Sequence, residues 1–166
     1  MNDRRRGQPT TIAVVVAVAV LVFVTGCGSA LPADPDDTLQ RIRGGTLRAG
    51  ASINPPWTEL AADGDLSGRE VALVEEFAGH LGAEVTWVVA GEEQLVTRLE
   101  HNALDLVVGG LTADTPWADK VAVTRPYVKI VDSAGEPTEL VMAAPMGENA
   151  YLAALDAFLH EKTVQP

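Results

Sequence analysis

Residues 103–112 read Ala103-Leu104-Asp105-Leu106-Val107-Val108-Gly109-Gly110-Leu111-Thr112, and this stretch decides the fold. From Leu104 to Leu111 it is apolar apart from Asp105 and two glycines, without alternation of polar and apolar positions. A strand with one wet face alternates, whereas a strand covered on both faces does not. The run therefore predicts a buried central strand of a parallel sheet over residues 106–111. Upstream, Glu92 to Ala103 sets Leu95, Val96 and Leu99 on one helix face, and Glu84 to Ala90 is β-rich. Arg69 to Leu81 repeats apolar residues at Val71, Val74, Phe77, Ala78 and Leu81 before a stop at Gly82. Thr46 to Ser52 reads as a short strand ending in the loop Asn54-Pro55-Pro56-Trp57, since proline removes backbone donors. Downstream, Thr115 is expected to cap a short helix opened by Pro116. Val121 to Val131 reads as extended, Glu139 to Ala144 as a strand, and Glu148 to Glu161 as a helix with Leu152, Leu155, Phe158 and Leu159 inward. The order β-α-β-α-β-α-β-β-α predicts an α/β fold, a mostly parallel sheet with helices on both faces and ligands beyond the carboxyl ends of its strands.

The chain has 166 residues, 12 of them Lys or Arg and 23 Asp or Glu, for a net charge of -11. That length holds one ordinary domain. The acidic balance argues against nucleic acid as a partner, because such affinity is built largely from Lys and Arg contacts to phosphate. A single cysteine rules out an internal disulfide and a cysteine-based zinc site. His80, His101 and His160 fall on separate predicted helices without i,i+4 ligand partners, so no metal is expected. With no P-loop and no serine paired to a histidine, the chain is read as no enzyme and as needing no cofactor.

Arg4, Arg5 and Arg6 precede an apolar run from Ile12 to Val24, short of the ~20 residues of a spanning helix. Residues 1–26 are read as a signal peptide. Val24-Thr25-Gly26-Cys27 resembles a bacterial lipobox, which implies export by the general secretory route and a diacylglycerol on Cys27. An uncleaved membrane anchor with an incidental cysteine is the alternative, and either places the rest outside the cytoplasm. Residues 27–45, with Pro32, Pro35, Asp34, Asp36 and Asp37, are expected to form a hydrated flexible tether, and residues 46–166 the folded lobe.

Five segments stand in register: Gly45-Thr46-Leu47-Arg48-Ala49-Gly50, Pro56-Trp57, Gly64 to Gly68, the 103–112 stretch, and Thr124-Arg125-Pro126-Tyr127. Together they resemble the polar amino-acid-type (family 3) extracytoplasmic solute-binding proteins of ABC transporters, over residues 44–131 and again in the last strand and helix. The resemblance implies a periplasmic-binding-protein-like lobe. Family members close two such lobes on a solute, but the span from Lys129 to Pro137 is too short for a second, so a one-lobe form is expected. Where the resemblance places a carboxylate-binding arginine, this chain has Trp117, and the acid supplied by a second lobe has no counterpart. Free amino acids are therefore expected to bind no more tightly than about millimolar.

Candidate ligand-binding residues follow. The resemblance sets the Trp57 ring against ligand, or else Trp57 packs its own Pro-Pro loop. Gly109, Gly110 and Thr112 offer backbone N–H groups and a hydroxyl at the strand end, or else make a tight turn. Trp117 and Tyr127 extend an aromatic cleft or fill core. Asp114 accepts from ligand or caps the helix after it. Asp105 is expected to tie down a neighbouring turn. Two functions fit: a lipid-anchored component binding a small polar solute for an ABC permease or sensor, or a one-lobe interaction domain that docks a membrane protein through the same cleft. Some two-lobed relatives are dehydratases, which leaves catalysis a remote third.

Overall fold

The structure, a computed structural model, describes residues 33–132 and 134–164, and of Thr163 and Val164 the backbone only. The signal peptide, Cys27 and the first part of the expected tether lie outside the described residues. A five-stranded sheet has the order β4-β1-β5-β9-β6. Here β1 is Thr46–Ala51, β4 Glu84–Val89, β5 Leu106–Val108, β6 Ala122–Val123 and β9 Ala143–Ala144. β1 runs parallel to β4 on one side and to β5 on the other, while β9 pairs antiparallel with both β5 and β6. Two ribbons lie outside this sheet: β2 (Glu59–Leu60) with β3 (Leu66–Ser67), and β7 (Val128–Val131) with β8 (Pro137–Leu140). The helices are α1 (Thr38–Ile42), α2 (Arg69–His80), α3 (Glu92–Glu100) and α4 (Asn149–Val164).

The expected central strand is central, and all three of its residues are fully buried. Leu106 and Val108 face one core with Val74 and Phe77 of α2 and Tyr151 and Leu155 of α4. Val107 faces the other, with Leu95, Val96 and Leu99 of α3. Alternate side chains of one strand thus enter two separate cores, which is why the sequence shows no polar alternation there. Asp105, fully buried just before β5, accepts from the Arg48 backbone N–H at 2.9 Å and from the Arg48 and Arg41 guanidinium groups at 2.6 Å each. Burial works to raise this carboxyl, but the hydrogen bonds from Arg48 and Arg41 outweigh it and hold it below the ordinary value. It joins α1 and β1 to β5, more than the single turn expected of it.

Several boundaries move for identifiable reasons. β5 ends at Val108 rather than residue 111, because Gly109 and Gly110 turn out of the ladder at φ 150 and 69. The helix expected after Thr115 is absent: residues 115–120 make turns, with Lys120 and Val121 N–H both donating to the Trp117 carbonyl. Six residues before β6 leave no length in which to repay the cost of nucleating a helix. The extended run 121–131 divides into β6 and β7, in different sheets, around Pro126, which has no N–H for a ladder. Residues 139–144 likewise divide between β8 and β9.

Residues 33–45 are not the hydrated tether that composition predicts. They hold α1, whose Ile42 is fully buried. Asp34 accepts from Leu39 N–H at 2.8 Å and from Tyr151 N–H at 3.1 Å, so one carboxylate caps the first turns of both α1 and α4. The buried Glu148 takes the N–H groups of Asp36 and Thr38 at 3.0 and 3.1 Å. Asp34, an acid that looks solvating in the sequence, is thus an acceptor for backbone donors, and Asp36 accepts the Asn102 side-chain amide at 2.7 Å.

Candidate functional site

Beyond the carboxyl end of β1 the chain runs through Ser52, Ile53 and Asn54 to Trp57, and beyond β5 through Gly109 and Gly110 to Asp114. The first loop is fastened by its own hydrogen bonds. Asn54 N–H donates to the carbonyl and hydroxyl of Thr58, the Thr58 hydroxyl donates to the Ser52 carbonyl, and Asn54 Nδ2 donates to the Gly109 carbonyl at 2.9 Å. Gly110 passes directly beneath this loop. A Cβ there would lie 2.4 Å from Asn54 Nδ2 and 2.9 Å from Trp57 Cδ1, so only glycine admits the approach.

Between these two loops and the β7–β8 ribbon lies a groove of about 530 Å³. Asn54, Trp57, Gly110, Thr112 and Asp114 form one side, and Ile130, Val131, Asp132, Thr138 and Leu140 of the ribbon the other. Two carboxylates face into this region and no Lys or Arg is among its described lining residues. Asp114 is exposed, and hydrogen bonds from Thr112 and from its own N–H keep it below the usual carboxylate range. No group of three or more His, Cys, Asp or Glu with the spacing of a metal site occurs among the described residues.

The wall of the groove rests on a residue that sequence reasoning missed. Glu70, in the first turn of α2, is fully buried. Its Oε2 accepts the N–H groups of both Gly109 and Gly110 at 2.8 Å, and its Oε1 accepts the Tyr127 hydroxyl. Burial pushes Glu70 up from its ordinary value, and these three hydrogen bonds offset only part of that. The Tyr127 hydroxyl is likewise raised, by burial and by the neighbouring carboxylate. A signal existed: Glu70 shares a helix face with Val74, Phe77 and Ala78, an acid on an otherwise apolar stripe.

Of the seven expected ligand-binding residues, the structure gathers Trp57, Gly110, Thr112 and Asp114 at the groove. Gly109 is buried behind the wall, and its N–H and that of Gly110 are occupied by Glu70 rather than presented to a ligand. Tyr127 belongs to the core beneath. Trp117 packs against the α3 core, and its indole N–H donates to Glu92. Residues ten apart along the chain, Trp117 and Tyr127, thus enter different cores, with β6, the edge strand of the sheet, between them. Asp114 caps no helix, since none follows it. Asn54 and the β7–β8 ribbon were not foreseen as parts of the site.

An α/β lobe with a groove at the carboxyl ends of its parallel strands has that groove where ligands bind on such sheets. Residues 47–163 match the model of the bacterial extracellular solute-binding proteins, family 3, and the chain belongs to that family. It is 28% identical over 82 residues to a probable histidine-binding protein of Campylobacter jejuni, covering 49% of this chain and 32% of that one. The chain thus spans about a third of that relative's length. A mutant of the arginine-bound form of domain 1 from TmArgBP superposes with a TM-score of 0.67 at 25% identity, covering 75% of this chain and 97% of that one. The ancestral amino acid-binding protein AncCDT-1, described as a precursor of cyclohexadienyl dehydratase, superposes at 0.65 with 15% identity, covering 77% and 94%, and shares the fold. No helix among the described residues is long and apolar enough to cross a membrane.

Proposed function

We propose that this chain is a lipid-anchored, extracytoplasmic solute-binding module of an ABC-type transport or sensing system, with the groove beside Trp57 as its solute site. The observation that carries this reading is the coincidence of a 530 Å³ groove with the carboxyl ends of β1 and β5, in a lobe that matches nearly the whole of domain 1 from TmArgBP. That domain is described in an arginine-bound form, so in that relative one lobe holds solute. Among the described residues between Tyr127 and Val141 only the β7–β8 ribbon forms, which leaves the groove open on one side. Half the enclosure removes much of the apolar burial, worth ~25 cal/mol per Å², so single-lobe affinity for free amino acids is about millimolar at best.

A thermal-shift screen of the full mature chain against amino acids, peptides, sugars and organic acids at millimolar concentrations, followed by calorimetry, tests the solute reading; a screen flat for all four classes defeats it. Lipidation is tested separately. Cys27→Ser is expected to accumulate as unprocessed precursor, and an unchanged mature mass would refute it.

A second reading, docking of a membrane protein through the same face, is favoured by exposed apolar side chains there. Val131 of the ribbon is 69% exposed and Ile53, next to Asn54, is 43% exposed. Photocrosslinking from position 53 in membranes would capture an integral membrane partner if this reading holds, and capture of no such partner would refute it.

A further inference from the structure

We infer that β4 is a self-association edge: two copies of this chain pair their β4 strands antiparallel about Trp87 and join their sheets into one. The inference is independent of the groove and its solute. β4 ends the order of the five-stranded sheet and has β1 as its one strand partner among the described residues. The Glu84 N–H donates to the Gly45 carbonyl at 3.0 Å and the Ala90 N–H to the Ala51 carbonyl at 3.3 Å, so the even-numbered residues from 84 to 90 turn their backbone groups toward β1. Successive residues of a strand alternate, and the N–H and carbonyl groups of Val85, Trp87 and Val89 therefore point outward, where no described residue pairs with them. Val85 and Trp87 pack against one helical core and Val88 against the other, so the open edge is held in place from both faces.

Sheet edges are ordinarily kept short, charged or bulged, because a row of open backbone groups pairs with another chain. β6, at the other end of the sheet, is two residues long, and β7 carries Lys129. β4 has six residues, neither Lys, Pro nor Gly, and no charge after its first residue, Glu84. Its own pattern names the occupant. Antiparallel pairing centred on Trp87 sets Val85 opposite Val89 of the second copy, Trp87 opposite the same residue, and Thr86 opposite Val88. Every outward N–H then meets an outward carbonyl, and one face of the joint is Val and Trp throughout. Glu84 falls opposite Ala90, so no two charges oppose each other. Val89, 41% exposed, becomes covered. With a net charge of -11, two copies repel over most of their remaining surface, which leaves this apolar edge as the place where they can meet. Head-to-tail growth needs a second long open edge, which the two-residue β6 does not supply, so the pairing closes as a two-fold dimer.

The mature chain carrying Cys27→Ser, which keeps it free of lipid, allows sedimentation velocity from about 1 to about 500 μM. Monomer at the low end and dimer at the high end are expected, with the amides of Val85, Trp87 and Val89 gaining protection from hydrogen exchange as the dimer forms. Val89→Lys lowers the net negative charge and so eases general repulsion, yet it sets a cation into the apolar face and should weaken dimerisation at least about tenfold. Leu60→Lys makes the same charge change at an exposed residue of β2 and should leave dimerisation within about twofold of wild type. A chain still monomeric at about 500 μM overturns the inference. So does a dimer in which these amides stay unprotected or Val89→Lys has no effect, and growth past the dimer overturns the closed pair.

Discussion

Glu70 and Tyr127 meet in the core, the hydroxyl of Tyr127 donating to Glu70 Oε1 immediately before β7, while Glu70 Oε2 takes the N–H groups of Gly109 and Gly110. One carboxylate thereby fixes the strand-end loop that walls the groove to the root of the ribbon that faces it. The position of the site is an internal matter of the lobe, set by a buried acid that itself touches no solvent.

The titration of Glu70 gives the first prediction. Burial raises it above the ordinary 4.5, against the hydrogen bonds from Tyr127, Gly110 and Gly109. A carboxyl raised in the folded state holds its proton more tightly there. Its contribution is therefore fully present below 4.5 and is lost as pH rises through the native value. In urea unfolding, wild type should lose stability relative to Glu70→Gln as pH rises above 4.5. Parallel curves would show that Glu70 ionises as in the unfolded chain. Glu70→Ala leaves three donors without an acceptor and should cost at least about 3 kcal/mol.

Gly110 supplies a test of the groove itself. Gly110→Ala forces a Cβ against Asn54 and Trp57 at φ 69 and should cost about 1–2 kcal/mol while displacing both side chains. Gly64→Ala is the control, since φ there is 93 but no atom lies within 4 Å of the new Cβ. Only the first variant should lose solute response in a thermal-shift assay. Equal losses in both would mean the response reports stability rather than groove shape.

Val107 sits fully buried between β1 and β9 with its side chain in the α3 core. Val107→Asp places an unpaired charge there, a cost of several kcal/mol that is comparable to the whole stability of a small domain. The variant should lack a cooperative thermal transition by circular dichroism, and a native-like melt would contradict the covering of both faces of β5.

Tyr151 is fully buried, and its hydroxyl has no hydrogen-bond partner among the described residues. Removing an unsatisfied polar group while keeping the ring that packs on Phe77 should be neutral or stabilising by about 1 kcal/mol. Chemical denaturation of Tyr151→Phe checks this. A loss above about 1 kcal/mol would mean that the hydroxyl is satisfied in solution.

The sequence by itself determined the α/β class, the central place of residues 106–108 and the helices α2, α3 and α4, because those features are written in local periodicity. An apolar run without alternation has few other homes than a strand covered on both sides, and Val74, Phe77 and Leu95, Val96, Leu99 announce helix faces at the right spacing. Trp57, Gly110, Thr112 and Asp114 were legible for a related reason: they follow strand ends, and in such sheets strand ends converge. Only the tertiary structure decided the rest. Tyr127 and Trp117 look alike in sequence, yet one is held by Glu70 and the other by Glu92 on opposite sides of the sheet. Composition marks residues 33–45 as solvated, but once α4 packs, Asp34 takes the Tyr151 N–H and Glu148 the N–H groups of Asp36 and Thr38, partners more than a hundred positions away. The groove owes its second side to a ribbon whose strands each read as parts of longer ones. These are non-local pairings, and no window of the chain contains both partners; hydrophobic periodicity fixes which face a residue turns inward, while the partner it meets there is chosen only when the layers close.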